Sequence, residues 1–285
     1  MKGPVKIIEC PRDAMQGWSH FIPTAEKIEY INQLLKVGFD TIDFGSFVSA
    51  KLIPQMKDTA AVLAGLDLSA SASRLLAIVA NLRGAEEAAA FKEINYLGYP
   101  FSVSETFQMR NANATIEQSL NTVSRISDIC RENNKKLVVY ISMAFGNPYG
   151  DAYAPAIVFD WVHKITSLGV EVISLADTVG VASPDDVYSV TDYLVKQLPG
   201  QEVGVHLHSG PENWKEKLKS ALDAGCRRFD GAINGIGGCP MADDVLVGNM
   251  NTEWMLRYFK SEGFELSIDQ AALDSATELA GKIFN

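Results

Sequence analysis

The sequence predicts a (β/α)8 barrel, the fold also called a TIM barrel. Eight short apolar runs alternate with longer amphipathic stretches along most of the 285 residues. Runs that are apolar at every position are typical of parallel strands covered by helices on both faces. Eight such strand–helix units in one chain indicate a closed barrel. An open doubly wound sheet is the structural alternative.

The strands and helices are expected to alternate in chain order. Apolar runs such as "RLLAIV" and "KLVVYIS" place the strands at 5–10, 40–45, 74–79, 93–98, 136–142, 170–176, 201–208 and 227–233. Amphipathic stretches place the helices at 23–38, 54–64, 84–91, 114–133, 154–168, 184–197, 212–224 and 242–260. We expect residues 267–285 to add a C-terminal helix. Because no linker-like segment divides the chain, we expect residues 1–285 to form one catalytic domain.

Residues at two helix boundaries agree with this assignment. Thr24 is expected to cap the start of the first helix, and Gly38 suits its end. Thr115 and Gln118 have the spacing of a capping box at the start of the long helix at 114–133. These boundaries support a helix after the first strand and another before the fifth.

Composition and charge exclude several classes of protein. The chain is 47% hydrophobic and 21% charged, with a net charge of −10, which is ordinary for a globular protein. An acidic surface repels nucleic acid and anionic membranes, so neither is an expected partner. No signal-peptide segment and no membrane-spanning apolar stretch is visible. Cys10, Cys130, Cys226 and Cys239 form no CxxC pair, which argues against structural zinc and favours free thiols in the cytoplasm.

Polar residues gather where the predicted strands end. In a (β/α)8 barrel these ends meet at one mouth, where the chemistry takes place. The fold would therefore bring together side chains that are far apart in sequence. In order along the chain they are Arg12, Asp13, Gln16, Asp43, Ser46, Tyr140, Ser142, Ser174, Asp177, Thr178, His206, His208, Asn234 and Cys239.

The sharpest signal is the pair His206 and His208, because the whole chain has only 4 histidines. Side chains at positions i and i+2 of a strand lie on the same face, so both rings would point into the barrel mouth. Two neutral imidazoles and a carboxylate from Asp13 would make a metal site. The alternatives are histidines that satisfy strand-end backbone groups, or a general base beside a structural histidine.

Three other side chains are candidates at this mouth. Cys239 stands in "GIGGCPMADD", whose glycines let the backbone approach a ligand, so it could be a nucleophile or an acid–base group. The alternative is an inert small residue. Arg12 suits the stabilisation of a developing oxyanion, although an ordinary ion pair with Asp13 is also possible. Glu9 is either a carboxylate inside the barrel or a support behind the site.

Five motifs carry a resemblance to a known family. "PRDAMQ", "SFVSAKLIPQM", "SLADTVG", "HLHSG" and "GIGGCPMADDVLVGNMNTE" occur in that order, and from about residue 5 to about residue 255 the chain resembles the 3-hydroxy-3-methylglutaryl-CoA lyases. The resemblance implies a (β/α)8 enzyme that uses Mg2+ or Mn2+ to cleave an acyl-CoA thioester into acetyl-CoA and acetoacetate. It implies four metal ligands, with Asn249 contributing its amide oxygen beside Asp13, His206 and His208.

The same resemblance implies roles for the remaining candidates. Arg12 resembles the family's catalytic arginine and Cys239 its loop cysteine near the thioester, while His206 or Asp13 would be the base. Asp43 stands where the family has a glutamate and is expected to be a catalytic residue. A homodimer is expected from the habit of the family. The expected substrate-binding residues are Arg12, Gln16, Ser46, Tyr140, Ser174, Asp177 and Thr178, and Glu9 and Glu253 are expected to support the site from behind.

Some positions depart from the family's pattern. Besides Asp43, Ser209 stands where an aspartate usually follows the second histidine, and the residues after "GCP" differ. These departures leave open a condensing synthase or a hydroxy-oxo-acid aldolase on the same barrel. Two histidines and an aspartate also suit an iron oxygenase, although Asn249 and the barrel argue against it. The non-enzyme alternative is a metal-binding barrel that has lost activity.

Overall fold

The strands of the chain close into a barrel. The structure is a computed structural model that describes residues 3–238 and 247–285. Eight parallel strands pair in chain order, and β1 pairs with β8. The prediction of a closed (β/α)8 barrel is confirmed, and the open sheet is wrong. The strands are β1 (Lys6–Glu9), β2 (Thr41–Phe47), β3 (Arg74–Val79), β4 (Ile94–Ser102), β5 (Lys136–Ser142), β6 (Val172–Ala176), β7 (Glu202–His206) and β8 (Arg228–Gly231).

Helices surround the barrel. The capping box of Thr115 and Gln118 is present at the start of the longest one. No helix within the described part of the chain is long and apolar enough to cross a membrane. The helices are α1 (Pro11–Gln16), α2 (Thr24–Leu34), α3 (Thr59–Ala64), α4 (Leu82–Ala89), α5 (Glu105–Ala112), α6 (Ile116–Glu132), α7 (Pro155–Ser167), α8 (Pro184–Gln197), α9 (Trp214–Asp223), α10 (Thr252–Ser261) and the C-terminal α11 (Gln270–Ile283), with 3₁₀ turns at Pro54–Met56 and Ile233–Gly235.

The helix boundaries differ from the prediction in three places. Thr24 does not cap α2, because Pro23 occupies the cap position and the Thr24 hydroxyl donates to Asp58 Oδ2 at 2.7 Å. The last predicted helix, at 242–260, begins only at Thr252, and its residues 242–246 lie outside the described residues. The short helices α1 and α5 were not predicted, since 6 and 8 residues are too few to show a clear helical period.

Two apolar clusters lie on opposite sides of the barrel wall. The larger one fills the space between strands and helices. The smaller one lies inside the barrel and includes Leu76, Tyr96, Val138, Tyr140 and Val172. Toward the carboxyl ends of the strands the interior becomes polar, and the candidate site lies at this end.

Candidate active site

Asp13, His206 and His208 form a cluster of potential metal ligands. One ligand atom of each lies within 4.8 Å of those of the other two. Asp13 belongs to α1, directly after β1, whereas His206 ends β7 and His208 follows two residues later. The ring centroids of the two histidines are 5.3 Å apart. The i, i+2 spacing therefore places both rings on one side, as predicted, and closure of the barrel brings Asp13 to them.

Asn249 lies beside this cluster. Its Nδ2 donates to Asp13 Oδ2 at 2.8 Å and to the carbonyl of Ile236 at 2.9 Å, and a backbone bridge pairs it with His208. Its Oδ1 is buried and has no hydrogen-bond partner within residues 3–238 and 247–285. A buried carbonyl oxygen without a partner is costly unless water or a cation binds it. The amide oxygen of Asn249 therefore fits a metal ligand.

Hydrogen bonds orient both histidine rings. Nδ1 of His208 lies 3.0 Å from the carbonyl of Val247, and Nδ1 of His206 lies 3.3 Å from Asp230 Oδ2. In each ring this leaves Nε2 as the nitrogen available to a metal. Asp230 was not among the predicted site residues. Its signal in the sequence is an aspartate within the predicted strand 227–233, and the structure buries all four residues of β8, "RFDG".

The electrostatics of the cluster suit metal binding. Burial and the neighbouring His206 lower the pKa of His208 to about 4, so this ring is neutral at physiological pH. Burial acts to lower the pKa of His206 as well, but the hydrogen bond and charge of Asp230 outweigh it and raise that pKa. Burial acts to raise the pKa of Asp13, but Arg12 and the two histidines bring it to about 2. Asp13 is therefore an anion.

Arg12 is held in one orientation by carboxylates and an amide. Its Nε donates to the two oxygens of Asp43 at 3.2 and 3.1 Å, and Nη2 donates to the same carboxylate. Its Nη1 donates to Asp13 Oδ1 at 2.8 Å and to Gln16 Oε1 at 2.9 Å. Burial raises the pKa of Asp43 to about 6 although Arg12 opposes this, so Asp43 is ionised at neutral pH. The structure thus brings these four predicted residues together.

Three predicted substrate-binding residues carry buried hydroxyl groups. Ser46, Tyr140 and Ser174 each have a hydroxyl oxygen without a hydrogen-bond partner among the described residues. Tyr140 lies edge-on to His206, with ring centroids 6.0 Å apart. Because buried hydroxyls are normally paired, these groups suit binding to substrate or water.

The other predicted residues make protein contacts. Asp177 accepts from the backbone of Ala182 and from Lys217 Nζ, and Thr178 accepts from the backbone N–H of Met143. Met143 has a positive φ of 59°, so Thr178 supports a strained turn. Lys217 was not predicted.

Glu9 ends β1 and Glu253 lies in the first turn of α10, and both bind backbone groups of the turn after β8. Glu9 accepts from Thr252 Oγ1 and from the backbone N–H of Ile233, and Glu253 accepts from the backbone N–H of Asn234. Thr252 belongs to the outer helix α10, so Glu9 faces the helix layer rather than the barrel interior. Cys239 lies outside the described residues.

The family was identified by comparison with known proteins. The model of the HMGL-like family matches residues 5–280. The chain belongs to the HMGL-like family. A curated relative of this HMGL-like chain, "3-hydroxy-3-methylglutaryl-CoA lyase, cytoplasmic" from Rattus norvegicus, is 33% identical over 284 residues, which are 99% of this chain and 81% of the relative.

Solved structures agree with this membership. An HMG-CoA lyase from Brucella melitensis superposes on the HMGL-like chain with a TM-score of 0.91 and 32% identity, covering 99% of both chains. An HMG-CoA lyase from Acinetobacter baumannii, in complex with coenzyme A and 3-methylmalate, gives a TM-score of 0.92 at 29% identity, covering 100% of this chain and 93% of that one. The predicted family and barrel are confirmed, and the chain is a lyase of this family.

Proposed function

We propose that this HMGL-like chain cleaves 3-hydroxy-3-methylglutaryl-CoA into acetyl-CoA and acetoacetate. The observation that carries the proposal is the cluster of Asp13, His206 and His208 beside the unpartnered amide oxygen of Asn249. Relatives named as HMG-CoA lyases match nearly the whole chain, and one was solved with coenzyme A. A CoA thioester is accordingly the proposed class of substrate.

We propose Mg2+ or Mn2+ as the metal. Asp13 and Asn249 offer oxygen atoms, and His206 and His208 offer nitrogen atoms. A mixed oxygen and nitrogen set without a thiolate suits a hard or borderline divalent cation. When bound, the ion would supply Lewis acidity and a template for the oxygens of the substrate.

The residues of the chain would divide the remaining chemistry among them. A base takes the proton of the tertiary hydroxyl, and breaking the C–C bond then releases acetoacetate and a thioester enolate. His206 and Asp13 are the two expected bases. Asp13 would keep a lone pair beside its bond to the ion, whereas His206 would have none left with its hydrogen on Nδ1 toward Asp230 and its Nε2 on the ion, so the geometry favours Asp13. Arg12, fixed by Asp43, presents a positive charge for the enolate oxygen. Cys239 would return a proton to the enolate carbon.

The substrate would lie against the polar interior of the barrel mouth. Ser46, Tyr140 and Ser174 would donate hydrogen bonds to it, because their hydroxyl groups have no partner among the described side chains and backbone groups. Gln16 would orient Arg12, and Asp177 and Thr178 would shape the loops that line the pocket. Cys239→Ser tests the proposed proton donor, and full turnover of this variant would contradict its role.

The central experiment is a substrate panel with controlled metal. We expect acetoacetate from 3-hydroxy-3-methylglutaryl-CoA only with added Mg2+ or Mn2+, and none with a chelator. Turnover of oxo acids instead, with or without acetyl-CoA, would indicate a synthase or an aldolase. Weak metal affinity without any turnover would indicate an inactive barrel. His208→Ala should abolish turnover, whereas His163→Ala, at an exposed position of α7, should not.

Three broader expectations accompany this function. We propose that residues 1–285 work as one catalytic domain, since the family match spans 5–280. A cytoplasmic location is supported by the name of the Rattus norvegicus relative. The homodimer is tested by light scattering of the purified protein, and a mass of about 31.1 kDa would contradict it.

A further inference from the structure

Asp230 reaches His206 from inside the barrel. The two residues are register partners on the neighbouring strands β7 and β8. The Asp230 side chain is 0% exposed, and its Oδ2 lies 3.3 Å from His206 Nδ1. Because Asp230 contacts Nδ1, Nε2 is the ring nitrogen that remains for a metal held with Asp13 and His208.

This contact selects one form of the imidazole. A neutral histidine carries a single N–H, and a carboxylate at Nδ1 keeps that hydrogen on Nδ1. The lone pair then stays on Nε2, which is the nitrogen that a metal needs. The ring of Tyr140 stands edge-on to His206, with centroids 6.0 Å apart, and limits rotation of the imidazole. The contacts with Asp230 and Tyr140 therefore determine both the orientation and the tautomer of His206.

Arg228 provides a positive charge next to Asp230. It lies two residues earlier on β8 and therefore on the same face of the strand. Arg228 is 1% exposed, its Nη1 donates to Glu202 at 3.4 Å, and its Nε and Nη2 have no partner in the described part of the chain. Gly204 makes room for it, since a Cβ there would lie 2.8 Å from Arg228 Cδ. Arg228 and Asp230 form no hydrogen bond with each other among the described residues, but their opposite charges interact across the barrel interior. A nearby cation favours the charged form of a carboxyl group.

We propose that Asp230 is a positioning residue, which sets the tautomer and orientation of His206 for metal binding while Arg228 holds its negative charge in the barrel. The inference rests on the metal site proposed above. It assigns a function to two buried charges that take no part in the reaction itself. It also explains why an aspartate stands inside a barrel strand, where an apolar side chain would pack at lower cost.

The test measures Mn2+ affinity by titration calorimetry and the His206 tautomer by ring-nitrogen NMR of the metal-free protein at mildly alkaline pH. Asp230→Leu should weaken Mn2+ binding about 10-fold to 100-fold and give mixed tautomers. Asp230→Asn should retain much of the affinity, because its amide oxygen still accepts from Nδ1–H. Asp192→Asn, on the outer helix α8, is the matched control and should bind Mn2+ like the wild type.

The role of Arg228 is tested by a double-mutant cycle. Arg228→Gln should weaken Mn2+ binding about as much as Asp230→Asn, and the double variant should be no worse than either single one. Full additivity would overturn the role of Arg228.

The outcomes separate this inference from the proposed function. A wild type that binds no Mn2+ but shows a pure Nδ1–H tautomer would contradict the metal site alone. A wild type that binds Mn2+, together with an Asp230→Leu variant that binds it equally well, would overturn the role of Asp230. If Asp230→Leu does not fold, the tautomer of His206 in the Asp230→Asn and Arg228→Gln variants decides instead. Mixed His206 tautomers in the wild type would also overturn the role of Asp230.

Discussion

Lys217 Nζ lies 2.7 Å from Asp177 Oδ2, and both side chains are almost completely buried. The same ammonium group donates to the carbonyls of Gly180 and His208, each at 3.0 Å. One cation from α9 thereby joins the loop after β6 to the end of β7. It holds the backbone of a candidate metal ligand from outside the site.

Breaking this ion pair should destabilise the fold. Lys217→Met leaves Asp177 buried without its cation, and we expect a loss of about 3 kcal/mol in the free energy of unfolding. Lys217→Met with Asp177→Asn should recover part of this, since the amide still accepts from Ala182. Denaturant unfolding measures both. Lys219→Met, which breaks the exposed pair with Asp223, is the control and should change little. Equal losses in both single variants would contradict the prediction.

Tyr140→Phe should affect substrate binding without destabilising the fold. Its hydroxyl has no partner among the residues that the structure describes, so removing it costs no protein hydrogen bond. If the hydroxyl binds substrate, KM should rise about 5-fold to 10-fold. Tyr153→Phe is the matched control, because its hydroxyl donates to the carbonyl of Ala144 at 3.0 Å. That variant should lose about 1 kcal/mol of stability and keep its KM.

Arg12→Lys should lower kcat much more than metal affinity. Lysine keeps the positive charge but cannot contact Asp43 through Nε and Nη2 while reaching Asp13 through Nη1. We expect kcat to fall about 100-fold to 1,000-fold, in line with the loss of a preorganised oxyanion donor. Steady-state kinetics at saturating Mn2+ measures this. An unchanged kcat with a raised KM would show that Arg12 only binds substrate.

Glu9→Gln should change how stability depends on pH. Burial raises the pKa of Glu9 from 4.5 to about 8, and hydrogen bonds from Thr252 and Ile233 oppose this only in part. The folded protein therefore holds a proton that the unfolded chain has released between these two values. The stabilising contribution is present below pH 4.5 and is lost as the pH rises toward about 8.

The glutamine variant carries a neutral group at every pH and can still pair with Thr252 and Ile233. Relative to the wild type it should gain roughly a few kcal/mol of stability as the pH rises through this window. Thermal unfolding of both proteins across the window measures the difference. Parallel curves would refute the raised pKa. Glu9→Leu, which loses both hydrogen bonds, should be less stable than Glu9→Gln throughout.

The sequence alone predicted the barrel, which is confirmed, and it predicted candidate metal ligands that the structure brings together. Continuous apolar strands and amphipathic helices are local patterns, and burial on both faces leaves a parallel barrel as their arrangement. The spacing of His206 and His208 follows from the two-residue period of a strand, and Asp13 follows from barrel closure. Short helices escaped the prediction because α1 and α5 span fewer turns than a period needs to become visible.

Only the tertiary structure decided what surrounds these ligands. Lys217 and Asp177 are 40 positions apart in the sequence, and His206 and Asp230 are 24 positions apart. Because of these separations, no local pattern in the sequence predicts either contact. In the sequence, a buried lysine on an amphipathic helix cannot be distinguished from a solvated one, because only the packing of the helix shows which face the lysine occupies. The sequence determined which groups can bind a metal, whereas the register of neighbouring strands and helices determined which charges hold those groups in place.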